Sequence, residues 1–201
     1  MIIGLTGQTG AGKSTVSNLF VREPGVVSID ADKVARQVVS NGTACLTDLA
    51  LEFSISILNA DGTLNRKKLA SIVFGDREKL RRLNDITFPY IVGEIKNQIT
   101  KLQQEGKSTI VLDAPTLFES RTDKLCDKVV VVIADPQLRA TRIVQRDGLT
   151  RAEAQARIDS QHGDEYYTKR ADYVIENSGD LTSLRLRVLE VLAELNKAQH
   201  D

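Results

Sequence analysis

The sequence predicts an α/β fold, a mostly parallel sheet with helices on both faces, and three observations point to it. Short apolar runs that read as strands recur along the chain, separated by stretches of helical spacing. A glycine-rich segment lies directly between the first apolar run and the first helical stretch. A long, mostly helical stretch, about residues 33–105, interrupts the alternation and reads as an inserted subdomain.

The elements follow in order. Residues 2–6 read as a short buried strand, and Lys13 to Phe20 show helical spacing through Val16, Leu19 and Phe20. Gly25 breaks the chain, and Val26–Ile29 reads as a second strand running into Asp30 and Asp32. Within the insert, Val34/Val38, Leu46/Leu49/Phe53, Leu80/Leu83 and Ile91-Ile95-Ile99-Leu102 form apolar stripes. Asp61-Gly62-Thr63 is a turn, and Pro89 is expected to start a helix or bend one. Strands return at Thr109–Leu112, ending on Asp113, and at Lys128–Ile133. Asp135-Pro136 then opens another helix. Residues 137–170 are polar and rich in arginine. Tyr173–Ile175 reads as a last strand closed by Asn177-Ser178-Gly179, and Leu181, Leu184, Val188, Leu192 and Leu195 give the final helix a core-facing stripe.

Composition narrows the function. Of 201 residues, 41% are hydrophobic, enough for a real core, and 27 basic side chains balance 27 acidic ones. With zero net charge, four Tyr, five Phe and no Trp, nothing interleaves basic and aromatic residues as a nucleic-acid surface would. Cys45 and Cys126 match no metal-ligand spacing and read as inert thiols in a reduced compartment. His162 and His200 are the only histidines, too few for a histidine-rich metal centre. The apolar start, Met1 to Leu5, is short for a signal peptide, and no later apolar run approaches spanning length. A cytoplasmic protein with no membrane partner is expected.

Gly7-Gln8-Thr9-Gly10-Ala11-Gly12-Lys13-Ser14 fits GxxxxGK[ST], placed after a strand and before a helix as its mechanism requires. The Gly10, Ala11 and Gly12 backbone curls round phosphates, and the helix N-terminus adds its dipole and free N–H groups. Lys13 reaches the β- and γ-phosphates, the Ser14 hydroxyl completes the shell of a magnesium ion, and Thr15 supports the α-phosphate side. The motif implies a nucleoside triphosphate without naming the reaction.

Asp30 and Asp32 stand at the end of the second strand, where an extended segment would point them to opposite sides. Asp32 suits a general base for an acceptor hydroxyl, and equally a cap for the helix starting at Lys33. Asp113, ending an apolar strand, is either a water-mediated magnesium contact or a turn cap. Arg142 and Arg146, four apart, share a helical face, consistent with a lid that brings guanidinium groups onto phosphates or with a solvated charged face.

Together these segments resemble the dephospho-CoA kinase family over most of the length. The resemblance includes Leu5-Thr6-Gly7, Asp30-Ala31-Asp32 with Val34 to Val39, Asp61 to Arg66, Leu83-Asn84-Asp85-Ile86 and Asp113 to Glu119. It continues through Gln145 to Leu149, Ala154 to Ile158, Gln161, and Ala171 to Ile175 with Asn177-Ser178-Gly179. It implies a P-loop nucleoside triphosphate hydrolase-type three-layer fold with a helical acceptor-binding insert and a small lid. The core would be residues 1–32, 106–136 and 171–201, the dephospho-CoA domain 33–105 and the lid 137–170. It further implies transfer of the ATP γ-phosphoryl group to the ribose 3′-hydroxyl of dephospho-CoA with Mg2+, the last step of coenzyme A synthesis. On this resemblance Asp32 is the base, and Lys13, Arg142 and, less directly, Arg146 act on the transferring phosphates. Asn177 and Gly179 lie near adenine through their backbone. A monomer acting on a small molecule is expected, an oligomer staying open. Phe88-Pro89 departs from the family's usual His-Pro pair, and Thr116 replaces a usual leucine. A different small-molecule or nucleotide kinase is the alternative.

Overall fold

The computed structural model describes residues 1–198 and divides them into two compact units, one of Met1–Ile29 with the chain from Leu102 onward, the other of Asp30–Lys101. His200 lies outside the described residues.

In the first unit β1 (Ile2–Gly7) leads into α1 (Lys13–Phe20), and β2 (Val26–Asp30) follows. The second unit then supplies four helices, α2 (Ala31–Gln37), α3 (Ala44–Phe53), α4 (Arg66–Val73) and α5 (Arg77–Gln104). The chain returns through β3 (Thr109–Asp113), β4 (Lys128–Ile133), α6 (Pro136–Asp147), α7 (Arg151–Asp159), α8 (Asp164–Thr168), β5 (Tyr173–Glu176) and α9 (Leu181–Ala198). The stretch expected as a lid, α6 to α8, belongs to the first unit.

The sheet order is β2-β3-β1-β4-β5, with β1 parallel to β3 and β4, and β4 parallel to β5. Parallel strands covered on both faces need unbroken apolar sequence, and Val129, Val130, Val131 and Val132 are all buried. Their alternate residues face opposite ways. Ile3, Leu5, Val111, Val130, Val132 and Ile175 pack with Val16, Leu19 and Phe20 of α1 and with Leu184, Val188, Val191, Leu192 and Leu195 of α9. Each such side chain contributes roughly 1.5–3 kcal/mol on burial. On the other face Leu117 and Cys126 lie 2.9 and 2.8 Å from where a Gly4 side chain would begin, and α8 lies against β4.

The second unit has its own core of Val39, Cys45, Leu49, Ile57, Leu69 and Val73, with Leu83, Ile86 and Tyr90 of α5 packed against it. The expected turn at Asp61-Gly62-Thr63 is closed by Asp61, whose carboxylate accepts from the Thr63 amide and hydroxyl at 3.0 and 2.6 Å. One expectation is narrowed and one corrected. Of the two readings of Pro89, the helix start falls, because Pro89 lies inside α5, which runs unbroken from Arg77 to Gln104. The flanking turns, with Ile86 and Tyr90 packed on the core, hold the helix together where one backbone donor is missing. Asp32 lies in the first turn of α2 rather than in an extended segment, so it does not alternate with Asp30 across a strand.

Candidate active site

Successive connections place β2 and β3 on one side of β1 and β4 and β5 on the other, so a crevice opens at the carboxyl end of β1. The phosphate loop occupies that place. Gly10 and Gly12 hold φ of +77° and +88°, a region that L side chains rarely enter. At Gly12 the obstacle is also spatial, because an added Cβ would stand 2.2 Å from Asn177 Nδ2.

Three consecutive loop carbonyls are held from outside. Thr9 O accepts from Arg139 Nε at 3.0 Å. Gly10 O and Ala11 O lie 3.4 and 3.5 Å from Arg142 Nη1, and Ala11 O also accepts from Asn177 Nδ2 at 2.8 Å. In a trans peptide the N–H points opposite to its C=O, so the amides of Gly10, Ala11 and Gly12 turn the other way. The Ala11 amide closes the turn on Gln8 O at 3.1 Å. Gly12 provides no side-chain cap to α1, whereas α2, α3, α4, α6 and α7 each start under a side-chain acceptor. An uncapped helix start with its amides facing outward is a site for an anion.

The loop lysine and the β3 carboxylate meet. Leu5 of β1 is in register with Asp113, and Lys13 Nζ donates to Asp113 Oδ1. Asp113 therefore partners the loop lysine and caps no turn in this arrangement. Ser14 stands exposed one residue along, and Thr15 donates its amide to Gly12 O at 3.0 Å.

Arg142 is half-buried, with Nη2 on Asn177 O at 3.0 Å. Arg146 is exposed and engaged by Asp147 at 2.7 and 2.9 Å, whereas Arg142 meets the loop carbonyls. That pairing raises the Arg146 pKa and holds the Asp147 carboxyl below its usual range, the Arg146 hydrogen bond being the main cause of each. Asn177 is buried, its amide donating to Ile133 O at 2.8 Å and its carbonyl taken by Arg142. Its side chain braces the loop, a contact that sequence reasoning missed. Gly179 is exposed in the turn before α9. Gln8, Arg139 and Gln161 were missed as well. Arg139 stands three residues before Arg142, a helical spacing that would have placed it on the same face.

In the second unit Asp30 is the N-cap of α2, its carboxylate accepting from the Lys33 amide at 3.1 Å, and Asp32 is exposed in the first turn. The capping role once open to Asp32 thus belongs to Asp30. Phe88 is half-buried on α5. A cavity of about 440 Å³ in the same unit is lined by Gln37, Thr43, Cys45, Tyr90, Glu94 and Asn97 among others. Burial pushes the Cys45 thiol up to about 11 and the Cys126 thiol to about 12, consistent with inert cysteines. Among the described residues no cluster of His, Cys, Asp and Glu has the makings of a metal centre, and no helix is long and apolar enough to cross a membrane.

Comparison with known proteins adds independent findings. The family model described as dephospho-CoA kinase matches residues 1–183. A dephospho-CoA kinase of Listeria innocua is 42% identical over 187 residues, covering 93% of each chain. Among solved structures, a dephospho-CoA kinase from Campylobacter jejuni aligns with a TM-score of 0.72 at 32% identity over 98% of both chains. A shikimate kinase from Bacteroides thetaiotaomicron aligns at 0.57 with 16% identity over 98% of both, a likeness of fold alone.

Proposed function

Since the chain belongs to the dephospho-CoA kinase family, we propose that its own residues carry out that family's reaction in the following way. The enzyme transfers a phosphoryl group from ATP to dephospho-CoA. The acceptor's ribose 3′-oxygen forms a bond to the γ-phosphorus, the bond from that phosphorus to the β–γ bridging oxygen breaks, and ADP leaves. The observation that carries the assignment of the site is the loop itself, with the Thr9 and Ala11 carbonyls held from outside and an uncapped helix start beside Lys13.

Lys13 leaves Asp113 to meet the β- and γ-phosphates, and Arg142 offsets charge growing on the transferring group. Arg146 serves the same charge at longer range. Asp32 takes the proton of the acceptor hydroxyl, and its exposure in the first turn of α2, just after β2, supports that role. Asn177 and Gly179 border the adenine. Residues 33–105 receive dephospho-CoA and residues 137–170 act as the lid.

A magnesium ion fits the residues present. The Ser14 hydroxyl and the Asp113 carboxylate, the latter through water, are the hard oxygen donors this ion takes. When bound it neutralises phosphate charge. We place the enzyme in the cytoplasm as a monomer.

The test is a steady-state assay with ATP, magnesium and dephospho-CoA, with CoA detected by mass, and AMP, CMP and shikimate as rival acceptors. CoA formation at enzyme-like turnover is expected, and phosphorylation of a rival acceptor in preference to dephospho-CoA would sink the assignment. Asp32→Asn should keep ATP binding while turnover falls by about a hundredfold or more. Undiminished turnover would remove Asp32 from the base role.

A further inference from the structure

Among the described residues Arg139 is the largest fully buried side chain, with 2% of its surface exposed. Every near partner of its guanidinium lies in the phosphate loop or just after α7. Nη1 donates to Gln8 Oε1 at 2.7 Å, Nε to Thr9 O at 3.0 Å, and Nη2 approaches Gln161 Oε1 at 3.5 Å. The same Gln161 oxygen accepts from the Thr9 amide at 2.8 Å, and Gln8 Nε2 donates to His162 O at 3.0 Å. The carboxylate paired with Arg139, Asp164, stands at 3.8 Å and is half exposed.

We propose that Arg139 is a positioning residue for nucleotide binding, setting the phosphate loop from behind through Gln8, Thr9 and Gln161. The inference rests on the ATP-binding part of the function proposed above. Holding the Thr9 carbonyl orients the Thr9–Gly10 peptide, which turns the Gly10 amide away from Arg139 and into the loop. The α6 backbone backs this from the same position, because an added Cβ at Gly10 would meet Arg139 O at 2.7 Å.

The charge needs its own reason. A neutral donor would satisfy the same acceptors without the large cost of taking a cation out of water. Burial pulls the Arg139 pKa down, the Asp164 carboxylate partly opposing it, yet an arginine stays charged. A triphosphate seated on the loop supplies negative charge beside this buried cation, so the side chain favours the nucleotide-bound state as well as the loop geometry.

Arg139→Gln and Arg139→Lys in the full chain test this, with binding of a non-hydrolysable ATP analogue measured by calorimetry alongside both KM values. Arg139→Gln is expected to weaken the analogue by about tenfold or more, the weight of a charge-assisted contact. The KM for dephospho-CoA should stay within about twofold, because uniform damage would move both substrates. Arg139→Lys, which keeps charge but loses the fork, should recover part of the loss. Gln161→Leu should also weaken the analogue, and the double variant should lose less than the two single losses combined. Unchanged analogue affinity, equal damage to both substrates, or fully additive losses would overturn the proposal. If Arg139→Gln does not fold, Arg139→Lys and Gln161→Leu carry the same readings. Wild-type protein that binds the analogue and makes no CoA overturns the proposed reaction and leaves the role of Arg139 standing.

Discussion

Arg139 and Arg146 lie seven residues apart on α6, close to the same helical face, and yet their surroundings are opposite. Arg139 is 2% exposed and binds loop atoms, whereas the Arg146 side chain is 60% exposed and bonds the neighbouring Asp147. Arg142 lies between them, half-buried, joining the Gly10 and Ala11 carbonyls to Asn177. Along one helix the arginines therefore pass from internal brace to loop contact to solvated ion pair. A short arginine-rich sequence does not indicate one shared role, and burial decides which of its charges can act on a bound anion.

The widest separation the comparison allows lies between the loop and the exposed end of α6. Lys13→Ala should lower kcat/KM by about a thousandfold, since it removes a cation from the phosphates themselves. An activity near wild type would discredit the loop assignment. Next comes Arg142→Gln, with a fall of about a hundredfold in kcat if its guanidinium meets the transferring group. A rise in the KM for ATP with kcat intact would class it with Arg139 as a brace and redraw the line along the helix. Arg146→Ala should change kcat and both KM values by no more than about twofold, as suits a charge acting only at longer range, and a larger loss in kcat would place it beside Arg142 at the transferring group.

The smallest effect concerns the pair at the exposed end. Hydrogen bonds from Arg146, and charge and contact from Arg157, hold the Asp147 carboxyl below its usual range. A depressed folded pKa contributes stability above the unfolded carboxylate value, and that stability is lost as pH falls through the folded one. Asp147→Asn should thus lower Tm at neutral pH by no more than about 3 °C, as for an exposed pair. The difference from wild type should narrow on acidification, which thermal melts across the acid range would read. A gap that widens in acid would contradict the pairing.

Much of the fold was legible in the chain. The bounds of α1 and β4 follow from local spacing and from runs such as Lys128–Ile133, and Asp135-Pro136 marks the start of α6 as expected. Pro89 was harder, because its local cost argues for a boundary while α5 is held by packing on both sides of it. Asp30 and Asp32 were ambiguous for a related reason. Either carboxylate suits a cap by residue type, and only the place where the backbone turns helical selects Asp30.

The sequence by itself determined the phosphate loop, the strands in their order with the helices α1, α6 and α9 between and after them, and the candidacy of Lys13, Ser14, Asp32 and Asp113. These depend on residues close together in the chain, where spacing maps directly onto one element. Only the tertiary structure decided that Asn177 clasps Ala11 from 166 residues away and that Arg139 reaches Thr9 across 130. Those contacts depend on the strand order β2-β3-β1-β4-β5, which brings the segments after β4 and β5 to the mouth of β1. No periodicity within a single element encodes which strands become neighbours, because that is selected by how the apolar faces of the whole sheet are covered at once.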